Sequence, residues 1–227
     1  SQWAVDSVVN DYGASSKRTF VLEFGANIDE ADIIPSIPYE KGEELKIMFS
    51  GVDWERKGGD IAVETVRLLN EAGIKSSLTI AGIEKLPAKY TKFSFVNNIG
   101  FLNKNIPEQY QRYIQAMSNA HIFLLPTKAE CAGIVFCEAS AFGLPIFSYN
   151  TGGLCNYVRN GINGYTLPLS ATAKEYATEI INCVKQDKLE GLHQGGIELY
   201  KTTLNWNSWG KRFREYIEKV ENERTIS

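Results

Sequence analysis

The sequence holds only two histidines, His121 and His193, and four cysteines, Cys131, Cys137, Cys155 and Cys183, with no C-x-x-C pair among them. No histidine stands beside the cysteines at metal-ligand spacing, so neither a zinc site nor a disulfide framework is written here. The thiols read as reduced and cytosolic. Neither histidine has a serine, cysteine or carboxylate arranged around it as a catalytic triad requires, and each reads as structural. Positive charge is not in excess either: 24 basic against 27 acidic side chains leave a net charge of −3. A nucleic-acid backbone or an anionic membrane surface wants a clustered positive excess, so no polyanion partner is expected. No apolar run approaches the ~18 residues of a membrane span, and the opening residues lack the charged, apolar and small-residue order of a signal peptide. Internal repeats and low-complexity segments are lacking too. The expectation is a soluble, cytoplasmic protein, with any longer parent at most peripheral to a membrane.

What is present is a chain of 227 residues, 44% hydrophobic, enough to bury one sizeable core. Short runs rich in β-branched and aromatic residues alternate with longer stretches of helical periodicity. That alternation predicts an α/β fold with a doubly wound, mostly parallel, Rossmann-like sheet flanked by helices. Strands are expected at Leu45 to Phe49, Ser77 to Ala81, Phe93 to Asn97, His121 to Pro126, Pro145 to Tyr149 and Gly164 to Leu167. Several are apolar without alternation, as buried parallel strands are. Helices are expected at Asp60 to Ala72, Pro107 to Met117, Ile134 to Phe142, Ala171 to Val184, Lys188 to Tyr200 and Trp206 to Val220.

The first forty residues break this rhythm. Gln2 to Asp11 reads as a helix, Thr19 to Phe24 as a strand and Gly25 to Glu40 as an irregular connection. Residues 1–40 are therefore expected to be the tail of an upstream domain and its connection, and residues 41–227 the domain proper. The chain opens on Ser1 rather than methionine, and the expectation is a piece of a longer protein.

The densest group of chemistry-bearing residues runs from Glu130 to Pro145, straight after the strand HIFLLP. A strand, a short glycine loop and a helix aim free backbone N–H groups and a positive helix end at an anion, for which phosphate is the natural occupant. Glu130 falls in the loop and Glu138 inside the helix, about 12 Å apart if the rise is helical throughout. One carboxylate at each end of a diphosphate suits sugar hydroxyls on both sides. An ordinary amphipathic helix with a capping and a surface glutamate is the plainer alternative. A second strand, loop and helix start, Ser50 to Asp60, places Arg56 and Lys57 beside a helix N-terminus, where a diphosphate leaving group gains charge.

The segment E-C-A-G-I-V-F-C-E-A-S-A-F-G-L-P resembles the E-x7-E signature of the retaining nucleotide-sugar glycosyltransferases of family 4 (glycosyl transferases group 1), which have the GT-B fold. Gly152-Gly153 and Asn160-Gly161-Ile162-Asn163-Gly164 resemble that family's later GG and NGxNG segments in order and spacing. The resemblance implies the C-terminal, donor-binding half of a GT-B enzyme. It implies Glu130 at the transferred sugar, Glu138 on the nucleotide ribose, and the amides near Gly133, Ile134 and Val135 around the diphosphate. Ser50 to Asp60 resembles the family's G-R-L-x-x-x-K-G segment, with Gly51 in the loop and Lys57 matching the lysine. Val52 stands where the family has arginine, which leaves Arg56 as the candidate substitute. The nucleobase is expected against Asn98 to Lys104, with Gly100 allowing close approach and Phe101 offering a ring.

The implied donor is a UDP- or GDP-linked sugar, with no other cofactor. No metal is expected, because no aspartate pair or D-x-D cluster stands beside the phosphate loops. The implied partner is an N-terminal acceptor-binding domain absent from this chain, without which the piece should transfer little. Alternatives are a GT-B-fold epimerase or phosphorylase, and a non-catalytic nucleotide-sugar binding module, which the Val52 departure favours.

Overall fold

The structure is a computed structural model that describes residues 1–226. Among them, six strands form one sheet in which all pairings are parallel: β1 (Leu45–Ser50), β2 (Ser76–Ala81), β3 (Val96–Gly100), β4 (Ile122–Leu125), β5 (Ile146–Tyr149) and β6 (Gly164–Leu167). The spatial order is β3-β2-β1-β4-β5-β6. It is the doubly wound order expected of one half of a GT-B fold. The chain runs outward from β1 to β3, then returns to the other side of β1 and runs outward again. β4 and β5 are buried along their whole length, which is why their sequences IFLL and IFSY show no polar alternation.

Helices cover both faces. The connections within the sheet are α2 (Gly59–Glu71), α3 (Pro107–Ser118) and α4 (Ile134–Ala141), and α5 (Ala173–Lys185), α6 (Leu189–Thr202) and α7 (Trp206–Ile226) follow the last strand. α2 packs on α5, and α4 on α6. α5 begins with a capping box, in which Thr172 caps the helix while the Glu175 carboxylate accepts from the Thr172 amide at 2.7 Å. α1 (Gln2–Asn10) carries no buried residue and lies against the loop after β5, where the Gln2 amide donates to Asn156 at 2.8 Å.

Two expected strands change. β3 begins three residues later than Phe93, because Phe93 and Phe95 stack on one another at 5.0 Å, with Tyr90 6.3 Å from Phe93, and turn before the ladder starts at Val96. Asn98 then shifts the register: its side-chain amide donates to the Ile83 carbonyl at 2.9 Å. Thr19 to Phe24 is no strand. Its side chains look to helices instead, with Phe20 stacked on Tyr216 at 3.7 Å and Glu23 accepting from Arg212 of α7 at 2.6 Å. The Phe24 amide donates to the Tyr157 hydroxyl at 3.3 Å. β-rich residues here serve as a strap beneath α7, away from any sheet edge.

Candidate functional site

In a doubly wound sheet the loops leaving the two central strands diverge to opposite faces and open a crevice at the strands' carboxyl ends. Here the central strands are β1 and β4, and an open cleft of about 390 Å³ lies there. One wall comes from the β1–α2 loop: Ser50, Gly51, Val52, Arg56 and Lys57. The opposite wall comes from the start of α4: Glu130, Gly133, Ile134, Val135 and Glu138. Lys104 and Tyr113 close one end, and Asn27 joins from the connection before β1.

The two loops are tied to each other. The Lys128 amide donates to the Arg56 carbonyl at 2.8 Å, and the Arg56 guanidinium donates to the Ala129 carbonyl at 3.1 Å. Gly58 lets them approach, since it adopts φ +75° and a Cβ there would stand 2.2 Å from the Pro126 carbonyl oxygen. Behind the second loop, the Gly153 amide donates to the Glu130 carbonyl at 3.4 Å, so the GG segment braces the loop that carries Glu130. In the NGxNG segment, buried Asn163 accepts from the Arg159 amide at 2.8 Å and donates to the Tyr157 carbonyl at 2.8 Å. Both segments support the site from behind.

Each acidic residue of the cleft is held by a lysine. Lys57, only 8% exposed, donates to the Glu130 carboxylate. Arg56 is half-exposed, 4.0 Å from the same carboxylate oxygen, with its Nε on Asp53 at 3.2 Å. The Arg56 amide donated to Asp53 lowers that carboxyl's pKa, and the guanidinium adds to the effect. Glu138, 2% exposed, receives Lys104 Nζ at 2.6 Å on each of its two oxygens and the Tyr113 hydroxyl at 2.8 Å on one. Burial, with the neighbouring Glu138 charge second, pushes the Tyr113 phenol well above its ordinary value, so Tyr113 stays a donor. Burial also raises the Cys137 thiol, again with Glu138 second, and keeps it protonated.

Between these pairs α4 begins at Gly133, which has φ +55°. A Cβ there would meet the Phe136 ring at 2.5 Å and Glu130 Cγ at 3.0 Å, so only glycine fits. The first amides of α4, at Ile134 and Val135, have no acceptor within the helix and point toward the cleft end of its dipole. Cations at one end, free amides in the middle and a buried carboxylate at the other make a site for an anion that carries hydroxyl groups.

The structure thus brings Gly51, Arg56, Lys57, Glu130, Gly133, Ile134, Val135 and Glu138 to one cleft. Gly100 and Phe101 do not line it. Gly100, with φ +78°, turns the chain and accepts the Gly82 amide at 2.9 Å on its carbonyl. Phe101, 51% exposed, lines a neighbouring depression of about 450 Å³ with Ile83, Glu84 and Lys85, and Val52 borders both. Sequence reasoning missed Ser50, Asn27 and Tyr113 as lining residues, and placed Lys104 only in the nucleobase segment. Spacing gives no sign of them, since Lys104 and Tyr113 lie 34 and 25 residues from Glu138.

Both histidines are buried at the other end of the sheet or beneath it. His121 accepts the Lys46 amide on Nδ1 at 3.1 Å, and a Cβ on Gly143 would stand 2.5 Å from the His193 ring. Burial lowers both pKa values. The four cysteines are free. Among the described residues no cluster of three or more His, Cys, Asp or Glu side chains is placed to hold a metal ion, and no helix is long and apolar enough to cross a membrane.

Fold and cleft together define a doubly wound α/β domain of the GT-B type, with its polar cleft at the topological switch point. The family model for glycosyl transferases group 1 matches residues 31–193. The chain belongs to that family. It is 23% identical over 205 residues to an uncharacterised glycosyltransferase of Methanocaldococcus jannaschii, covering 89% of this chain and 54% of the relative. Among solved structures it is similar to the sucrose-phosphate synthase of Thermosynechococcus elongatus, with a TM-score of 0.71 at 19% identity over 98% of this chain and 57% of that one. It is also similar to the pneumococcal O-GlcNAc transferase GtfA in complex with UDP and GlcNAc, with a TM-score of 0.65 at 16% identity over 87% of this chain and 38% of that one. The chain spans about half, or less, of the length of the curated relatives it matches.

Proposed function

We propose that this chain is the donor-binding half of a retaining glycosyltransferase that moves a hexosyl group from a UDP- or GDP-linked sugar to an acceptor hydroxyl. The observation that carries this reading is the order of groups along one cleft: Lys57 with Glu130, the free amides of Ile134 and Val135, then Glu138 in its pocket of Lys104 and Tyr113. A nucleotide sugar lays out sugar, diphosphate and ribose in the same order. Glu130 then meets the transferred sugar, Lys57 and the amides hold the diphosphate, and Glu138 accepts from the ribose hydroxyls. Arg56 supplies the second cation that Val52 cannot, from a different position on the same loop. Phe101 and its depression stand beside the ribose end for the base. The neighbour whose description names UDP supports a uridine or related nucleotide.

Residues 1–40 and α7 belong, in this reading, to the hand-off between this domain and an N-terminal acceptor-binding domain. Stabilisation of the leaving diphosphate comes from Lys57 and helix α4, and no divalent metal is required. No carboxylate or histidine in the cleft stands free as an inverting base: Glu130 and Glu138 are both ion-paired. This lack agrees with retention of anomeric configuration, in which the acceptor enters on the face from which the diphosphate leaves. The free thiols of Cys131 and Cys155, both exposed, suit a reducing, cytoplasmic setting.

The test is product analysis of the complete protein with a panel of nucleotide sugars. Nucleotide release that depends on added acceptor, survives chelator and gives a retained anomer supports the reading. An inverted product, or turnover that vanishes with chelator and returns with metal, overturns it.

A further inference from the structure

Glu138 is nearly sealed from water, and a carboxylate there is costly unless each charge and lone pair finds a partner. Two groups bond it, Lys104 from the loop after β3 and Tyr113 from α3, while the neighbouring Cys137 thiol on α4 donates to the Phe24 carbonyl at 3.3 Å. Across the cleft lie Lys57, Arg56 and the carboxylate of Glu130. Lys104 is the cation in bonding contact, and its Nζ sits 2.6 Å from each oxygen, astride the carboxylate. A pair of vicinal hydroxyls would take that same position. Lys104 itself is a third exposed on the cleft side, and its ammonium lies 4.3 Å from the centre of the Tyr113 ring. The ring face already supports the ammonium and can go on doing so when hydroxyls displace it from the carboxylate.

We propose that Lys104 is a positioning residue for Glu138: it keeps the carboxylate charged and aimed into the cleft, stands in for ligand hydroxyls while the cleft is empty, and yields the carboxylate to them when they bind while keeping its contact with the Tyr113 ring. This rests on the reading of Glu138 as the ribose acceptor. A lysine on a flexible stem suits the task because it can shift without breaking the charge balance. Losing it would leave the buried carboxylate with the Tyr113 hydroxyl but no counter-charge, which disfavours the charged form, and a protonated carboxyl accepts from only one hydroxyl well.

The test is calorimetric binding of UDP and of GDP to the chain and to Lys104→Met, Lys104→Gln and Lys104→Arg, from pH 6 to pH 8.5. Affinity is read relative to the unsubstituted chain at each pH, which cancels the titration of the ligand's own terminal phosphate, so that an undisturbed site gives a flat profile. Lys104→Met and Lys104→Gln should bind about tenfold more weakly at pH 6 and recover most of that by pH 8.5, because burial without the ammonium disfavours the charged carboxylate. Lys104→Arg should restore the flat profile. Variants that bind normally at pH 6, that bind more tightly throughout, or that lose affinity equally at every pH would overturn the proposal while leaving the functional reading intact. Failure of the unsubstituted chain to bind either nucleotide at any pH would overturn both together.

Discussion

At one end of the cleft Lys57 holds Glu130, with side chains 11% and 16% exposed, and Arg56 adds a second cation 4.0 Å away. At the other end Lys104 holds Glu138, and there the lysine is 33% exposed while the glutamate is 3% exposed. The same two residue types are arranged in opposite order of burial. At the first end the buried Lys57 ammonium is fixed in the wall and Arg56, paired with Asp53, stands beside it, which suits an incoming anion. At the second the negative charge is buried and its cation is the more exposed partner, which suits hydroxyl donors. Chemical polarity along the cleft comes from this contrast, and in the proposed function it is what orients a nucleotide sugar.

The largest way to break that contrast is to remove the fixed cation. In the complete protein Lys57→Ala should cut turnover by about 10²–10³, the scale on which one preorganised group stabilises developing charge. Rapid-quench kinetics on folded protein would check it, and a loss confined to KM would show that Lys57 binds without assisting departure. Removing the fixed anion comes next. Glu138→Ala should weaken nucleoside diphosphate binding by about 1–3 kcal/mol, since hydroxyls lose a charged acceptor and Lys104 loses its partner. An unchanged dissociation constant would remove Glu138 from the site.

Gly133→Ala tests the scaffold between the two ends. A non-glycine residue forced to φ +55° against the Phe136 ring should cost about 1–3 kcal/mol of stability, read as a lowered denaturation midpoint. Smaller still is Arg56→Ala. Its guanidinium is 41% exposed and already engaged by Asp53, so its contribution to diphosphate binding should stay under about 1 kcal/mol. An effect as large as that of Lys57→Ala would show that Arg56 fully replaces the arginine that Val52 displaces.

Most of the sheet was legible because its signal is local. Ile122–Leu125 and Ile146–Tyr149 are buried on both faces, and such strands advertise themselves as unbroken apolar runs. The loops of the cleft were legible for a related reason, since a glycine after a strand and before a helix fixes where free amides point. Phe93 and Phe95 misled because aromatic residues suit a strand and a packed turn equally, and only the Tyr90 neighbour decides between them. Thr19 to Phe24 misled similarly, for Glu23 and Phe20 are answered by Arg212 and Tyr216, almost two hundred residues away in sequence. Lys104 on Glu138 belongs to the same class of fact. An ion pair across 34 residues leaves no spacing to read, although each partner alone was in view.

The central claim is that phosphates lie at the Lys57 end and the ribose at the Glu138 end. The most direct measurement is a matched calorimetric titration of pyrophosphate, and of whichever of UDP or GDP binds more tightly, into the chain and into Lys57→Ala and Glu138→Ala. Lys57→Ala should weaken both ligands, whereas Glu138→Ala should weaken the nucleotide and leave pyrophosphate unchanged. Equal weakening of pyrophosphate by both substitutions, or nucleotide binding that ignores either one, would contradict it.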